Sequence, residues 1–339
     1  MKPIFFLLFG LAIVASAQQP NIVPLLSSIP SSIRGLTVVD DNVAWFSGSK
    51  GHVGRTINGG KSWTFNQIKS YEKVDFRSLY AFDSLRAIVA NAGSPASILL
   101  TTDGGRNWSE IYHNDHADIF LDGVDFWDDR SGIIYGDPID GKMMLLKTVD
   151  GGKTWKEISE ATRPTLEKGE ASFAASGTGI RCIGKSKVVI ATGGIVSRLW
   201  VSSDGGEHWA STLTPIVQGK NSTGIFSVDV AGKQWVIVGG DYVADSISVK
   251  NAFYSTDEGK SWSAPLRTTR GYRSGVEIIT TKLWIAVGQG GLDFSSDQGQ
   301  NWIPMSDEKG LHGIRKARKG MKVMAAGNGR VVGVEINRE

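Results

Sequence analysis

The stretch Thr101-Thr-Asp-Gly-Gly-Arg-Asn-Trp108 decides the fold, because it returns along the chain with the same punctuation. Two neighbours match it closely: Thr56-Ile-Asn-Gly-Gly-Lys-Ser-Trp63 and Thr148-Val-Asp-Gly-Gly-Lys-Thr-Trp155. Three more follow as Ser202-Ser-Asp-Gly-Gly-Glu-His-Trp209, Ser255-Thr-Asp-Glu-Gly-Lys-Ser-Trp262 and Ser295-Ser-Asp-Gln-Gly-Gln-Asn-Trp302. Each copy reads as a hairpin turn. The acid or amide at its third position accepts backbone N–H groups, glycine supplies positive φ, and the Ser or Thr hydroxyl adds a local bond. The closing Trp then fills the space between strands. Asn58, Asp103, Asp150, Asp204, Asp257 and Asp297 are therefore structural residues, as are Trp63, Trp108, Trp155, Trp209, Trp262 and Trp302.

The tryptophans are spaced 45, 47, 54, 53 and 40 residues apart, the period of a four-stranded propeller blade rather than of a helical repeat. A second repeat is an apolar strand ending in Gly, as in Val43-Ala-Trp-Phe-Ser-Gly48, Trp235-Val-Ile-Val-Gly239 and Val323-Met-Ala-Ala-Gly327. It occurs seven times against six turns. The near-continuous apolar character fits strands covered on both faces. The seventh unit has no turn or fourth strand of its own, and Asn21-Ile-Val-Pro-Leu-Leu26 is the apolar segment free to supply the strand. The expectation is an all-β, seven-bladed propeller of four-stranded antiparallel blades. The N-terminal strand closes the ring and removes an exposed sheet edge. No window has sustained helical periodicity, and the insertions at residues 163–169 and 240–250 read as loops.

Composition narrows the function classes. Of 339 residues 41% are hydrophobic, 21% charged and 42 are Gly, which excludes a disordered chain, collagen and a multi-pass membrane protein. A formal charge of +3 is too small to argue for nucleic acid. The lone Cys182 forbids an internal disulfide and any cysteine-cluster metal site. Residues 1–17 read as an export signal: Lys2, an apolar run from Ile4 to Val14, then Ala15-Ser-Ala17. Cleavage before Gln18 leaves residues 18–339 as a single propeller domain, secreted or periplasmic, with no membrane span.

With six Ser/Thr-x-Asp/Asn-x-Gly-x-x-Trp turns, known as Asp-box or BNR repeats, the chain resembles the propellers of sialidases, of sortilin-type receptors and of photosystem II assembly and stability factors. The last resemblance is the strongest. Its carrier is the unit Gly35-Leu-Thr-Val-Val-Asp-Asp-Asn-Val-Ala-Trp-Phe-Ser-Gly48 followed by the Thr56–Trp63 turn. That family implies a seven-bladed extracytoplasmic scaffold that binds another protein during assembly. Such relatives are sometimes labelled oxidoreductases, yet no cofactor site is legible here. Gly179-Ile-Arg-Cys-Ile-Gly-Lys-Ser186 has phosphate-loop spacing, but Val188-Val-Ile follows it as a strand where that motif needs a helix.

Aligning the starts of the innermost strands nominates a site. The register is Arg34-Gly-Leu, Arg77-Ser-Leu, Asp122-Gly-Val, Ala171-Ser-Phe, Phe226-Ser-Val, Ser274-Gly-Val and His312-Gly-Ile. With Glu170, Tyr272 and Arg273 beside them, these positions place Arg34, Arg77, Asp122, Glu170, Tyr272, Arg273 and His312 at one mouth of the central channel. Such a cluster suits bidentate capture of a carboxylate or an acidic peptide. The competing expectation is a sialidase-like glycoside hydrolase, whose Tyr–Glu pair would be Tyr272 and Glu170 with three arginines on substrate. It requires carboxyl groups to converge at the mouth. His113-Asn-Asp-His116 with Asp118 reads as a solvated loop rather than a metal site, since no helix aims both imidazoles together. Core packing is the expected use of Trp127 and Tyr242, with a partner surface as the alternative.

Overall fold

The computed structural model describes residues 19–336, so the export-signal reading of residues 1–17 lies outside the described residues. Seven antiparallel sheets stand around one axis. Blade 1 shows the pattern: Ile33–Val38 lies innermost, followed outward by Ala44–Gly48, His52–Thr56 and Thr64–Gln67. Exposure rises outward, because the first three strands are almost wholly buried and the fourth is exposed along its length. Apolar clusters lie between adjacent blades, as where Trp45, Val53, Leu79, Val89 and Leu99 join blades 1 and 2.

Each turn is built as its residue types require. In the second copy, Asp103 Oδ1 accepts the backbone N–H groups of Arg106 and Asn107 at 3.0 Å. The Thr101 hydroxyl donates to the same oxygen at 3.0 Å and accepts the Gly105 N–H at 3.0 Å. These donors hold the Asp103 carboxyl down at about 2. Asn58 does the equivalent work in the first copy, accepting the Ser62 N–H. The fourth position of the turn takes left-handed backbone even where glycine is absent, at Glu258 (φ 64°) and Gln298 (φ 64°).

The ring closes as the strand count requires. Asn21–Leu26 pairs antiparallel with Arg330–Glu335, from Asn21 opposite Glu335 to Leu26 opposite Val331. It becomes the outer strand of blade 7, and Leu25 and Leu26 pack on the apolar cluster shared with blade 1. Pro24 is tolerated there because the strand is outermost and its other edge needs no ladder donor. The only helix among the described residues is one 3₁₀ turn, Glu160–Thr162.

Two departures from the regular pattern lie between blades 3 and 5. Blade 5 has three full strands, Thr223–Ala231, Gln234–Asp241 and Ala252–Ser255, and its outer strand shrinks to a single bridge between Tyr254 and Ser263. Its inner edge gains two dipeptide strands, Gly193–Gly194 and Glu170–Ala171. The second departure corrects the sequence register. The inner strand of blade 4 is Ile180–Ile183, paired with Lys187–Ala191, so its axial triplet is Thr178-Gly179-Ile180 and not Ala171-Ser172-Phe173. The long connection after Trp155 had displaced the alignment. The same pairing makes Gly179–Ser186 a strand and hairpin, as expected from the β-branched run after it.

In the corrected register every blade places Gly or Ser at the same axial step: Gly35, Ser78, Gly123, Gly179, Ser227, Gly275 and Gly313. Space there is tight, since a Cβ on Gly35 would stand 2.2 Å from Ser47 Oγ. The axis is also not an open channel. Residues 172–178 cross it, with Ser176 Oγ donating to Ser274 O at 2.6 Å and Thr178 Oγ1 to Ser227 Oγ at 2.6 Å. Arg34 donates to Ala175 O from one side, at 3.0 Å, and Arg315 to Gly177 O from the other, at 2.8 Å.

Candidate functional site

The crossing segment leaves a cavity at each end of the axis. At the end where the inner strands begin, a cavity of about 380 Å³ is lined by Arg34, Arg77, Asp122, Tyr272 and His312, together with Asp137, Phe173, Phe226, Tyr242 and Gln289. Five of the seven nominated residues are thus brought together. Glu170 and Arg273 are not. Glu170 sits on the short strand at the inner edge of blade 5, where Oε1 accepts from Thr192 Oγ1 at 2.6 Å and Trp200 Nε1 at 3.1 Å. Its Oε2 accepts from Arg198 at 3.1 Å and from the Glu167 N–H at 3.0 Å, so the carboxylate is fully occupied inside the protein. Arg273 is completely buried, and its Nε donates to Asp293 at 2.8 Å. Tyr272 lines the cavity, whereas Arg273, also ahead of the strand Gly275–Ile278, is taken up by Asp293.

Charge in the cavity is unevenly satisfied. Arg77 Nε is fixed on Asp75 at 2.8 Å, and its terminal nitrogens make no hydrogen bond among the described residues. Burial and the nearby Arg77 charge both pull the Arg34 guanidinium below its ordinary value. Across from them, Asp122 is fully buried, and neither carboxyl oxygen makes a hydrogen bond of ordinary geometry. Burial, then the charge of Asp137, push its pKa well above the carboxylate range, against the pull of Arg77. Burial raises Asp137 too, although its Oδ1 accepts the Ser172 N–H at 2.9 Å. His312 Nε2 lies 3.0 Å from Asn328 Oδ1 and 3.3 Å from Ser32 Oγ. Burial and the Arg34 charge hold the imidazole neutral, with a pKa of about 4. Burial likewise raises the Tyr272 hydroxyl, with the Arg34 charge opposing it.

An aromatic group forms one wall. Phe173 stacks on Phe226 at 3.9 Å, while Tyr272 and Tyr242 meet Phe226 edge-on at 4.7 and 6.1 Å. Tyr242 is 52% exposed and forms the outer lip. Trp127 packs on the blade 3–4 cluster, the expected use, and donates from Nε1 to Lys187 O at 2.7 Å.

The opposite cavity, about 210 Å³, was missed by the sequence reading. In blades 3 to 7, two residues beyond the small axial residue, the strands present Asp125, Arg181, Asp229, Glu277 and Arg315. Arg181 bridges Asp229 at 2.8 Å and Glu277 at 3.0 Å. Burial and the Asp229 charge raise Glu277 to about 7, and burial lowers Arg315 to about 10. This belt is internally paired, which suits holding the axis together. Elsewhere, His113 is held between Glu110 at 2.9 Å and Asp115 at 3.0 Å, and His116 Nδ1 accepts the Asp118 N–H. No metal-ligand cluster forms there or elsewhere among the described residues, and no helix among them is long and apolar enough to cross a membrane.

Comparisons with known proteins agree with this architecture. A family model described as photosynthesis system II assembly factor YCF48 matches residues 26–117, and the BNR/Asp-box repeat model matches residues 253–264. The chain is an Asp-box β-propeller resembling the photosystem II assembly factors. The structure of YCF48 bound to a D1 peptide aligns at 14% identity over 95% of this chain and 96% of that one, with TM-score 0.67. YCF48 from Cyanidioschyzon merolae aligns at 18% identity over 93% and 98%, with TM-score 0.63. A GH74 xyloglucanase from Xanthomonas campestris aligns at 13% identity over 92% of this propeller and 53% of that chain, with TM-score 0.60. Identities this low establish the shared fold and not a shared activity. No curated protein matches the chain.

Proposed function

We propose that this propeller is an extracytoplasmic scaffold that captures a segment of another protein by a carboxylate or acidic group at the mouth beside Arg34 and Arg77. The observation that carries the reading is the pair of guanidinium groups on one cavity wall, mutually repelling and only partly bonded within the protein. An incoming carboxylate relieves that repulsion and accepts planar, paired hydrogen bonds, the geometry for which arginine is suited. The likeness to a YCF48 structure holding a peptide supports a protein partner. The signal-like residues 1–17 support a location outside the cytoplasm. Rigid blades that present loops and a cavity need no moving part for such a task.

The test is affinity capture from the organism's extracytoplasmic fraction with wild-type protein and the Arg34→Gln/Arg77→Gln variant. A partner retained by the first and released by the second is the expected result. Equal capture by both would place the interface elsewhere. The hydrolase reading has one observation in its favour, the two carboxyl groups of Asp122 and Asp137 in one cavity. Its Tyr–Glu pair is not assembled, since Glu170 is spent on Arg198, Thr192 and Trp200. Release of sugar from a sialoside panel, abolished by Tyr272→Phe, would restore it.

A further inference from the structure

We propose that the mouth cavity takes a chain end bearing both charges: a terminal carboxylate on Arg34 and Arg77, and a Lys or Arg side chain of that same terminal residue, seated against Asp122, Asp137 and the aromatic wall. The inference rests on the mouth-binding reading and specifies what the bound segment must look like.

Asp122 is fully buried and lines the cavity, and the backbone N–H groups of Ala174 and Asp137 approach its carboxyl without forming a hydrogen bond of ordinary geometry at either oxygen. Buried polar groups in folded proteins are almost always well hydrogen-bonded, so an acid held only by two poorly aligned amides on a cavity wall has capacity for a stronger donor from outside the chain. Asp137 stands beside it with one oxygen engaged by the Ser172 amide. Two neighbouring carboxyls repel when ionised, and a cation placed between them removes that repulsion while supplying several donors.

The wall next to the acids suits the same guest. Ser172, which bonds Asp137, leads directly into Phe173, stacked on Phe226 with Tyr272 and Tyr242 against its edge. Aromatic faces attract ammonium and guanidinium groups, and the attraction grows when water is excluded. A purely anionic guest would satisfy the arginines and add nothing to the poorly bonded Asp122. A purely cationic guest would meet Arg34 and Arg77 without compensation. His312 is neutral and adds no charge to either side. Only a guest with both charges satisfies both walls.

The shape explains why the two charges belong to one residue. Residues 172–178 floor the cavity, so a through-running strand has no exit along the axis, whereas a chain end needs room for little more than its last side chain. A volume of about 380 Å³ is of that size.

The test uses the full protein and three fluorescent peptides of one sequence: ending in Lys with a free carboxylate, ending in norleucine with a free carboxylate, and ending in Lys as the amide. Fluorescence anisotropy at neutral pH is expected to show the first binding at least tenfold more tightly than the other two. Asp122→Asn should erase the preference for Lys over norleucine without weakening the norleucine peptide. Arg77→Gln should erase the preference for the free acid over the amide. Asp122→Asn keeps the side-chain shape, with circular dichroism confirming the fold, and Asp137→Asn repeats the test nearer the rim if the first variant does not fold. Norleucine binding as tightly as Lys, or a Lys preference that survives both Asp→Asn changes, overturns this inference alone. No binding by any of the three peptides overturns it together with the mouth reading.

Discussion

His312 should make the folded ring sensitive to mild acid in a way that one substitution removes. The side chain is 2% exposed and lies within the field of Arg34 and Arg77, so the folded protein rejects its proton down to about pH 4. In the unfolded chain the imidazole titrates near its ordinary value of about 6.5. Because the folded pKa is the lower, the unfolded state takes up the proton first, and stability is lost as pH falls from about 6.5 towards 4. The gap between the folded and unfolded values is worth ~3 kcal/mol. Other groups titrate over the same range, so the observable is the difference between wild type and His312→Gln. Urea unfolding followed by tryptophan fluorescence at pH 7, 6, 5 and 4 should show wild type losing ~3 kcal/mol more than the variant between the first and last points. Below pH 4 the two curves should run parallel. Parallel curves throughout, or a His312 imidazole that titrates near pH 6 by NMR in the folded protein, would refute the reasoning.

Further expectations follow from other elements. Removing residues 21–28 should lower stability by ~3–5 kcal/mol, from the lost ladder and the partial burial of Ile22, Leu25 and Leu26; unchanged thermal unfolding would contradict ring closure. Thr101→Val leaves the buried Gly105 amide without its acceptor and should cost about 1–2 kcal/mol by chemical denaturation. Glu170→Gln weakens the contact with Arg198 while keeping the side-chain shape, and should cost roughly 1–3 kcal/mol without changing peptide capture at the mouth. Asp122→Asn removes an acid whose ionisation burial and the Asp137 charge oppose in the folded protein, so it should stabilise the protein at pH 7 and gain nothing below about pH 4. A destabilised Asp122→Asn at pH 7, measured by urea unfolding, would show that Asp122 is paired in the free protein.

What was legible in the sequence divides by the range of the interactions involved. The box turns are settled within eight residues, so Asp103 and Thr101 could be assigned their partners from the residue pattern alone. Ring closure was legible by counting strands, although its contacts join residues more than 300 apart. The mouth was legible only where units kept their length. Arg34, Arg77, Asp122 and His312 line one cavity, while the connection after Trp155 slid the blade 4 alignment from Thr178 to Ala171. Glu170 and Arg273 had the right chemistry and the wrong surroundings, because Arg198 and Asp293 take them up across distances the pattern does not encode. Asp137 was missed although it follows Gly136 at the end of a recognised strand. The belt at Asp125, Arg181, Asp229, Glu277 and Arg315 had a signal too, two places beyond the axial Gly or Ser of blades 3 to 7.

The outermost strand of blade 7 leaves the ribosome before any other described strand, and its partner Arg330–Glu335 leaves last. During synthesis the first six blades can therefore form as an open arc, while the leading segment waits for a neighbour not yet made. Joining such distant segments carries a large loop-closure cost, so sealing the circle should be the slow, final event of folding. Until then both terminal edges are available to any other nascent copy, and a domain-swapped dimer is the misassembly this design invites.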